Sequence, residues 1–493
     1  MNVPNQSSMH GLRDICVSAF KAAVEAVQPY QRVFDTLQLV NGCMKIGHRT
    51  YQVDHNIHLA AFGKAALGMV RGAENALNGH IVEGIASVPR GTLKKMSNLN
   101  LQTKFLEGAT NNLPDDDACN NARLIEEMAK RLKTSNDIFL VLISGGGSAL
   151  LPAPVSSISL DDKLKTIKEL TSRGADIKQL NTVRKALSRL KGGKLAHIAH
   201  PAKCLRIISV IISDVIGDPL EYIASGPTVM KQVDELDPKM VLKELNAWHS
   251  ISEKVRQAVE RAEVVNLDQN MDIQNYIVSN NKLALFAAAE TLKRCGYKCH
   301  IVSSNIAEDA DIYGSLLAHI LIEIMKGKKC IEVLQSVCLA TSGSIIPSGV
   351  NKVRSLLTFA DKIALLFGGE CTVKIRGGGL GGRNQEIVLT ALSKLLDHWD
   401  PCQKRTEFAL LSAGTDGQDG PTDAAGAVLT SDDVRYILKM NAEITKKLID
   451  ASLNNSDSYH FWKDFNNGKS HIICGPSGTN VMDMQVLLLS NTV

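Results

Sequence analysis

The sequence has few aromatic residues, no long hydrophobic run and no excess of charge of one sign. Phe, Trp and Tyr make up 4% of its 493 residues, which argues against a surface on which nucleic-acid bases would stack. Basic and acidic residues number 55 and 51, so charge gives no reason to expect binding to nucleic acid or to a membrane. The longest apolar stretch lies within 205–212, far short of the ~18 residues of a membrane span.

Disulfide motifs and targeting signals are also missing. The 11 cysteines are scattered without a C-x-x-C pair, and a chain of this length needs no disulfides, so we interpret them as reduced thiols. Residues 1–10 lack the basic and apolar regions of a signal peptide. Asp14 and Glu25 in the first predicted helix are unlike a mitochondrial presequence. We expect a cytoplasmic protein, with a mitochondrial pool left open.

The remaining composition is that of an ordinary globular protein, in which helices and strands alternate. Hydrophobic residues make up 44% and charged residues 22%. The apolar runs 58–62, 138–143 and 206–212 are predicted strands, and amphipathic patterns between them predict helices. This order predicts an α/β fold with a parallel sheet covered on both faces.

A second α/β series is predicted to begin near residue 272. The charged segment 231–270 shows no core pattern, so we place the domain boundary there. The expected domains are residues 10–262 and residues 272–490, the second being smaller. Within the second, residues 340–358 are expected to form a flexible loop or an insertion.

Four glycine-rich clusters follow predicted strands, among them a strand predicted at 372–375. They are Ser144-Gly145-Gly146-Gly147-Ser148, the segment 376–384, the segment 412–420 and the segment 475–480. Converging backbone N–H groups in such loops can bind an anion, and loops at the carboxyl ends of parallel strands are where α/β folds bind ligands. The alternative for each loop is a plain strand-to-helix connection.

The motifs of several large enzyme classes are absent or incomplete. Gly377, Gly379 and Gly382 match G-x-G-x-x-G, but no acid stands where a dinucleotide-binding strand would place it. There is no G-x-x-x-x-G-K-[ST] motif, no G-x-S-x-G motif and no H-E-x-x-H motif. An ordinary P-loop NTPase, a serine hydrolase of that type and a zinc protease are therefore not indicated.

Acidic residues stand beside two of the predicted loop regions. Asp214 and Asp218 follow the strand 206–212, and Asp416, Asp419 and Asp423 lie in the third glycine cluster. Carboxylates next to a phosphate-binding loop can hold Mg²⁺ or take a proton from an alcohol. The alternative is that each aspartate caps a turn or a helix.

Two basic features complete the set of candidates. Lys64 follows a strand and Gly63, which would place its ammonium group at the carboxyl edge of the sheet; a solvated surface lysine is the alternative. The basic stretch 184–194 is typical of a solvated face. Within it, we expect Arg184 to point inward.

Seven segments, in order, carry a resemblance to a known family. They are AFGKAA (61–66), LISGGGSALL (142–151), LNTVRKALSRLKGGKLA (180–196), ISDVIGDPLEYIASGPT (212–228), GGECTVKIRGGGLGGRNQE (368–386), SAGTDGQDGPTDAAGA (412–427) and CGPSGTNVMDM (474–484). Together they resemble the class II glycerate kinases. The resemblance implies a large Rossmann-like N-terminal domain and a smaller C-terminal α/β domain called MOFRL.

The resemblance implies ATP-dependent phosphorylation of D-glycerate with Mg²⁺, and active-site residues Lys64, Asp214 and Arg383. Two departures stand out: Ala186 replaces a histidine that many bacterial members have, and the segment 110–115 differs from their pattern. Position 186 is therefore given no role, and a substrate contact from 110–115 is in doubt. Which hydroxyl is phosphorylated stays open, as does the oligomeric state.

The expected mechanism combines the resemblance with the loops. The expected phosphate-binding residues are Ser144, Gly145, Gly146, Gly147, Ser148, Gly377, Gly378, Gly379, Gly381, Gly382 and Asn384. The expected substrate-binding residues are Lys64, Arg184, Arg383 and Asn480, with the carboxylate at Arg383 or Lys64. Asp214, with Asp416 or Asp419, would hold Mg²⁺ or receive the hydroxyl proton. The alternatives are an NAD(P)-dependent hydroxypyruvate reductase and a non-catalytic metabolite-binding protein.

Overall fold

The chain forms two compact units in a computed structural model. The structure describes residues 11–96, 99–132, 134, 136–199, 206–229, 236–262, 272–326, 328–340, 362–399 and 406–491. The central unit is Gln28–Asn280, and the terminal unit combines Met1–Val27 with Asn281–Val493. The terminal unit is only slightly shorter than the central one.

Helices and strands alternate along most of the described chain. The helices are α1 (Leu12–Ala26), α2 (Pro29–Thr36), α3 (Ala66–Leu77), α4 (Asp116–Arg131), α5 (Gly147–Leu150), α6 (Leu160–Ser172), α7 (Ile177–Ala186), α8 (Lys194–Ala199), α9 (Pro238–Glu244), α10 (Glu253–Glu260), α11 (Asn281–Arg294), α12 (Ala310–Met325), α13 (Cys330–Ala340), α14 (Arg383–His398), α15 (Ser431–Met440), α16 (Ala442–Asn454) and α17 (Ser458–Asp464). The strands are β1 (Gln38–Val40), β2 (Cys43–Ile46), β3 (Arg49–Gln52), β4 (Ile57–Phe62), β5 (Ile81–Pro89), β6 (Lys104–Gly108), β7 (Ile138–Ile143), β8 (Arg206–Ile212), β9 (Asp272–Ser279), β10 (Lys298–Ile306), β11 (Lys362–Gly369), β12 (Thr406–Gly414), β13 (Gly426–Thr430), β14 (His471–Ile472) and β15 (Asp483–Asn491).

The central unit is built on a six-stranded parallel sheet in the order β6-β5-β4-β7-β8-β9. Every side chain of β7 is buried, which explains its continuous apolar sequence, since a parallel strand covered on both faces meets no water. From β4 the sheet grows in one direction through β5 and β6, and from β7 in the other through β8 and β9. The strand order therefore reverses between β4 and β7, the place where open α/β sheets bind ligands.

The terminal unit is built on a mixed sheet in the order β10-β11-β15-β12-β13-β14. Only β10 and β11 pair in parallel, and the remaining neighbours are antiparallel. Helix α1 belongs to this unit although the whole central unit follows it in the chain. Its Arg13 donates to Asp433 at 2.6 Å and to the Val428 carbonyl at 3.1 Å. Cys16 and Phe20 of α1 are buried in the unit.

The predicted fold class is confirmed, and two strand assignments need correction. The strand predicted at 273–278 was taken to begin the second series, but β9 pairs with β8 and completes the first sheet. The compact units accordingly divide at 27/28 and 280/281, not between 262 and 272. No strand forms at 372–375, where only Thr372 makes an isolated bridge, to Asp309. The strand of that region is β11, and most of the predicted loop 340–358 lies outside the described residues.

Candidate functional site

Three neighbouring strands of the central unit deliver the predicted side chains to one edge of the sheet. Phe62 at the end of β4 pairs with Ile143 at the end of β7, and Ile143 pairs with Ile211 of β8. The connections after these strands carry Lys64, the 144–148 loop and Asp214. The predicted convergence of these groups is thus seen within the central unit, at the point where the strand order reverses.

The glycines of the 144–148 loop allow close approach of the two charged side chains. A Cβ atom at Gly145 would collide with the Asp214 carboxylate, and one at Gly146 would lie 3.1 Å from Cγ of Lys64. Gly146 has φ +76°, which a residue with a side chain rarely adopts. Glycine at position 145 thus leaves room for the Asp214 carboxylate, and the positive φ favours glycine at position 146.

Two backbone donors of this loop have no acceptor among the described residues. The Gly145 and Gly146 N–H groups make no hydrogen bond within the part of the chain that the structure describes. Ser144 is buried, and its Oγ accepts a bond of 3.1 Å from the Ala65 N–H group. The loop is thus held from behind, while two N–H groups remain to bind an anion.

The two charged side chains beside the loop differ in their surroundings. Lys64 is exposed to solvent, and Asp214 is only partly exposed. Burial raises the pKa of Asp214 above its ordinary value, and the nearby ammonium of Lys64 opposes that rise. A carboxylate with a raised pKa is a better proton acceptor for an alcohol.

Ser148, the last residue of the loop, bonds to neighbours inside the protein, and Arg184 stands on the helix that carries one of them. Ser148 Oγ lies 3.1 Å from Ser225 Oγ, and Ser225 donates to Asn181 at 2.8 Å. Arg184 follows Asn181 by three residues on α7 and therefore shares its helix face. Its side chain is partly buried, and burial lowers its pKa; its predicted inward direction stays a prediction.

In the terminal unit, Arg383 is already bonded to a carboxylate. It opens α14, and its Nε and Nη2 atoms donate to the two oxygens of Asp483 at 2.5 and 3.0 Å. The Asp483 side chain is buried, and the exposed Glu370 lies 3.1 Å from Nη1 of Arg383. Burial alone would lower the pKa of Arg383, but Asp483 outweighs it and raises that pKa.

Asp419 caps helix α14 from inside the protein. Its carboxylate accepts from the backbone N–H groups of Asn384 and Gln385 at 3.0 and 2.9 Å, and from both of their side-chain amides. Asn384 is completely buried, and its Oδ1 accepts a bond from Ser412. The structure therefore gives both residues a role inside the protein: the Asp419 oxygens predicted for a metal and the Asn384 amide predicted for a cofactor are used there.

The glycines of the second cluster are required by contacts with the chain itself. Added Cβ atoms at Gly377 and Gly379 would collide with Asn455, and one at Gly382 with Asp419. Gly381 would likewise meet Ser458. Gly378 alone in this cluster faces open space. The pattern that resembled a cofactor loop is explained here by close packing.

The third and fourth clusters lie together, because β12 and β15 are neighbours in the sheet. The Ser477 N–H group donates to the Asp416 carbonyl at 3.0 Å. Asp416 is partly exposed, and its Oδ1 accepts from the Gln418 N–H group at 3.1 Å. Asn480 is partly exposed, and its Oδ1 accepts from the Met482 N–H group at 3.0 Å. Both side chains thus shape turns at the edge that also carries Arg383.

The predicted site residues therefore form two groups, one in each unit. Lys64, Asp214, Arg184 and the 144–148 loop belong to the central unit, and Arg383, Asp416, Asp419 and Asn480 belong to the terminal unit. Within the described ranges, no three His, Cys, Asp or Glu residues come together as a metal site. No helix of those ranges is long and apolar enough to cross a membrane.

Two residues of these groups were missed by the sequence analysis. Asp483 is the acid that opens the apolar strand β15, a position that could have drawn attention to it. Lys191 lies in the stretch predicted to be a solvated face, yet it is 1% exposed. Nothing in the local pattern distinguishes it from the lysines around it, because its bonding partners are distant in sequence.

Family models match both parts of the chain. The model described as a domain of unknown function (DUF4147) matches residues 15–260, and the model described as the MOFRL family matches residues 363–483. The second match confirms the predicted MOFRL domain.

Several proteins similar over nearly the whole chain are named glycerate kinases. A rat glycerate kinase is 37% identical over 508 residues, covering 99% of this chain and 95% of that protein. A glycerate 2-kinase of Pyrococcus horikoshii is 30% identical, covering 97% and 98%. The crystal structure of a glycerate kinase from Thermotoga maritima superposes with a TM-score of 0.75 at 29% identity, covering 97% of this chain and 99% of that one.

Proposed function

We propose, since the chain belongs to the glycerate kinase family, that it transfers the terminal phosphoryl group of ATP to D-glycerate in the presence of Mg²⁺. The product would be 2-phosphoglycerate or 3-phosphoglycerate. The observation that carries the proposal is the meeting of Lys64, Asp214 and the 144–148 loop where the strand order reverses. A cation, a carboxylate and free N–H donors in one place are the groups that phosphoryl transfer requires.

Each group of the central unit has a role in this reaction. The Gly145 and Gly146 N–H groups bind phosphate oxygens, since they have no acceptor in the described chain. Lys64, exposed beside them, neutralises negative charge that develops on the transferring group. Asp214 would either accept the proton of the attacking hydroxyl, for which a pKa raised by burial suits it, or hold Mg²⁺.

The carboxylates differ in their fitness to hold Mg²⁺. Asp214 is partly exposed beside the phosphate-binding loop and fits a metal bound together with phosphate, whereas the four donors on Asp419 leave it no free position. Mg²⁺, when bound, would neutralise phosphate charge and orient the phosphates for transfer. Asp416 keeps part of its surface exposed and remains a candidate within the terminal unit.

Arg383 is proposed to bind the substrate carboxylate. Asp483 holds one side of its guanidinium group, so the orientation of the opposite side is fixed before a substrate arrives. A prealigned guanidinium loses less freedom on binding, which favours a planar carboxylate.

The proposal is tested by identifying the product. The purified protein is incubated with D-glycerate, ATP and MgCl₂, and the phosphorylated carbon is determined by ³¹P and ¹³C NMR. We expect a phosphoglycerate and an equal amount of ADP, with the NMR spectrum distinguishing the 2-phospho from the 3-phospho product. Binding of glycerate without any ADP release would instead support the metabolite-binding alternative.

The reductase alternative is tested in a parallel reaction. Hydroxypyruvate is added with NADH or NADPH, and the absorbance of the reduced cofactor is followed. We expect no change, because the glycines of the G-x-G-x-x-G pattern pack against Asn455 and Asp419. Oxidation of the cofactor that depends on hydroxypyruvate would contradict the proposed kinase.

A further inference from the structure

Lys191 is buried directly behind the 144–148 loop. Its Nζ donates to Ser148 Oγ at 3.1 Å, to the Ser148 carbonyl at 3.3 Å and to the Ala224 carbonyl at 3.2 Å. These three acceptors use the three protons of an ammonium group. All of them are neutral, so the charge of Lys191 is fully hydrogen-bonded but not neutralised.

The turn 224–226, to which Lys191 donates a hydrogen bond, has an unusual backbone conformation. Ala224, Ser225 and Gly226 have φ values of +51°, +62° and +60°. For the two residues with side chains this conformation carries a conformational cost, and such turns persist only where their surroundings hold them. This 224–226 turn also touches the loop itself, because a Cβ at Gly147 would approach Cβ of Ala224 to 2.9 Å.

Backbone bonds join the same turn to the residues that follow Lys191. The Gly192 N–H group donates to the Ser225 carbonyl at 2.9 Å, and the Gly193 N–H group donates to the Gly226 carbonyl at 2.8 Å. Lys191, the 224–226 turn and the 144–148 loop are therefore one hydrogen-bonded assembly. A change at Lys191 is transmitted directly to Ser148.

Two further basic side chains, Lys163 and Arg184, lie near Lys191, and within the described residues none of the three pairs with a carboxylate. Burial, with the charges of Lys163 and Arg184, lowers the pKa of Lys191 well below its ordinary value. Lys163 is also buried, and its Nζ has no hydrogen-bond partner. Across the described residues, no carboxylate pairs with Lys163, Arg184 or Lys191. Burial disfavours the ammonium forms of both lysines, which lowers their pKa values, and an oxyanion bound in the loop would favour those charged forms.

We propose that the 144–148 loop is an oxyanion-binding site whose positive charge comes from behind, with Lys191 as the positioning residue and Arg184 as a second source of charge. The ligand is an oxyanion group of the substrates, either a nucleotide phosphate or the glycerate carboxylate. This inference rests on the proposed function. It adds Lys191 and Arg184 as residues that enable the loop to bind an oxyanion. Lys191 touches no substrate and acts through Ser148.

The test measures ligand binding to four variants by isothermal titration calorimetry. Lys191→Met removes the charge at nearly constant volume, Lys191→Arg keeps the charge, and Arg184→Met removes the second cation. Lys178→Met, on the exposed face of α7, is the matched control. ADP without added metal and D-glycerate are titrated separately, so that the source of the oxyanion is identified.

We expect Lys191→Met to weaken one of the two ligands by about tenfold to a hundredfold, because the loop would lose the ammonium group that holds Ser148 and supplies positive charge behind it. The other ligand should change by less than about threefold, and Lys191→Arg should recover part of the loss. Equal weakening of both ligands without recovery in Lys191→Arg would show a merely structural lysine and overturn the proposal. Unchanged binding in Lys191→Met would also overturn it.

If Lys191→Met does not fold, Arg184→Met decides the question, because that side chain is only partly buried. We expect it to weaken the same ligand at least fivefold relative to Lys178→Met, and equal affinity in these two variants would refute the proposal. Failure of the proposed function is seen separately. In that case the wild-type protein forms no phosphoglycerate but still binds ADP or glycerate in a manner that depends on Lys191.

Discussion

The two glycine-rich loops that precede helices look alike in sequence and differ in electrostatics. The 144–148 loop of the central unit has free N–H groups, with Lys64 beside it and Lys191 behind it. The 376–383 loop of the terminal unit has its helix start capped by Asp419 and its Arg383 bonded to Asp483. Its other arginine, Arg376, is paired with Glu386 and Asp311.

This difference shows when a glycine-rich loop binds an anion. The start of a helix attracts negative charge from any source. In the terminal unit the chain supplies that charge itself, through an aspartate 35 residues after Asn384. In the central unit Asp214 lies beside the loop but accepts no bond from the Gly145 or Gly146 N–H group, so within the described chain these donors are left for a ligand. Glycine spacing predicts the shape of a loop, whereas distant carboxylates decide whether a ligand can use it.

The largest effect is expected for Lys64→Ala, which would remove the cation beside the 144–148 loop. Turnover should fall by about a thousandfold or more, since electrostatic stabilisation of a transferring phosphoryl group is worth several kcal/mol. Steady-state kinetics with D-glycerate and ATP measures the effect, and circular dichroism checks the fold. Lys168→Ala, an exposed lysine of α6, is the control. Near-normal turnover in Lys64→Ala would refute its catalytic role.

A large loss of stability is expected for Asp483→Ala, which would remove the ion pair between Asp483 and Arg383 of the 376–383 loop. Loss of the buried Asp483 carboxylate leaves Arg383 without its main partner. Removal of one member of a buried pair costs about 3–5 kcal/mol. The free energy of unfolding in urea measures the loss. Glu370→Ala, at the exposed partner of the same arginine, should cost less than about 1 kcal/mol. Similar losses in both variants would contradict the assigned difference.

A moderate and pH-dependent effect is expected at the cap of α14. Burial raises the pKa of Asp419 from 3.8 to about 6, despite the N–H groups of Asn384 and Gln385. The folded state therefore holds this proton more tightly than the unfolded state. The contribution of Asp419 to the free energy of unfolding should fall as pH rises from about 4 to about 6 and stay constant above that range.

Asp419→Asn removes the titration and one acceptor of the cap. Its stability relative to the wild type should change by about 1–3 kcal/mol across that interval, as measured by urea unfolding at several pH values. Asp432→Asn, at an exposed aspartate on α15, should show no such difference. A wild-type stability that runs parallel to Asp419→Asn at every pH would contradict the raised pKa.

The smallest effect is expected for Gly378→Ala, the change that compares the two loops most directly. A Cβ at Gly378 meets nothing within 4 Å. The free energy of unfolding should therefore stay unchanged, and the KM for ATP should stay within about twofold of the wild-type value. Gly146→Ala should raise the KM for ATP, because φ there is +76° and the new methyl group would lie 3.1 Å from Lys64 Cγ. The reverse order of the two KM values would show that the terminal loop binds the nucleotide.

Sequence patterns predicted the central strands well because burial alone determines them. The strands β7 and β8 have the predicted bounds, since both are apolar runs buried on both faces. The sequence pattern could not predict which sheet β9 joins, because its pairing with β8 is a contact between distant segments. The strand β11 was missed and placed instead at 372–375, where Thr372 makes only an isolated bridge.

The candidate site shows the same division between local and distant information. Lys64, Asp214 and the 144–148 loop were found because each directly follows a strand, a local signal. The burial of Lys191 depends on Ser148 and Ala224, which are 43 and 33 residues away. The pairing of Arg383 with Asp483 spans 100 residues. The spacing of residues in a local sequence motif does not predict charge compensation between such distant residues.

The early position of α1 in the chain has a consequence for biosynthesis. Its buried face, with Cys16 and Phe20, belongs to the unit whose other elements begin at Asn281. On the ribosome this helix emerges before the rest of its unit, and all of residues 28–280 must be translated before its packing partner α11 exists. Until then its apolar side remains open to chaperones and to other nascent chains. A fragment starting at α11 would lack this helix and expose the surface that it covers.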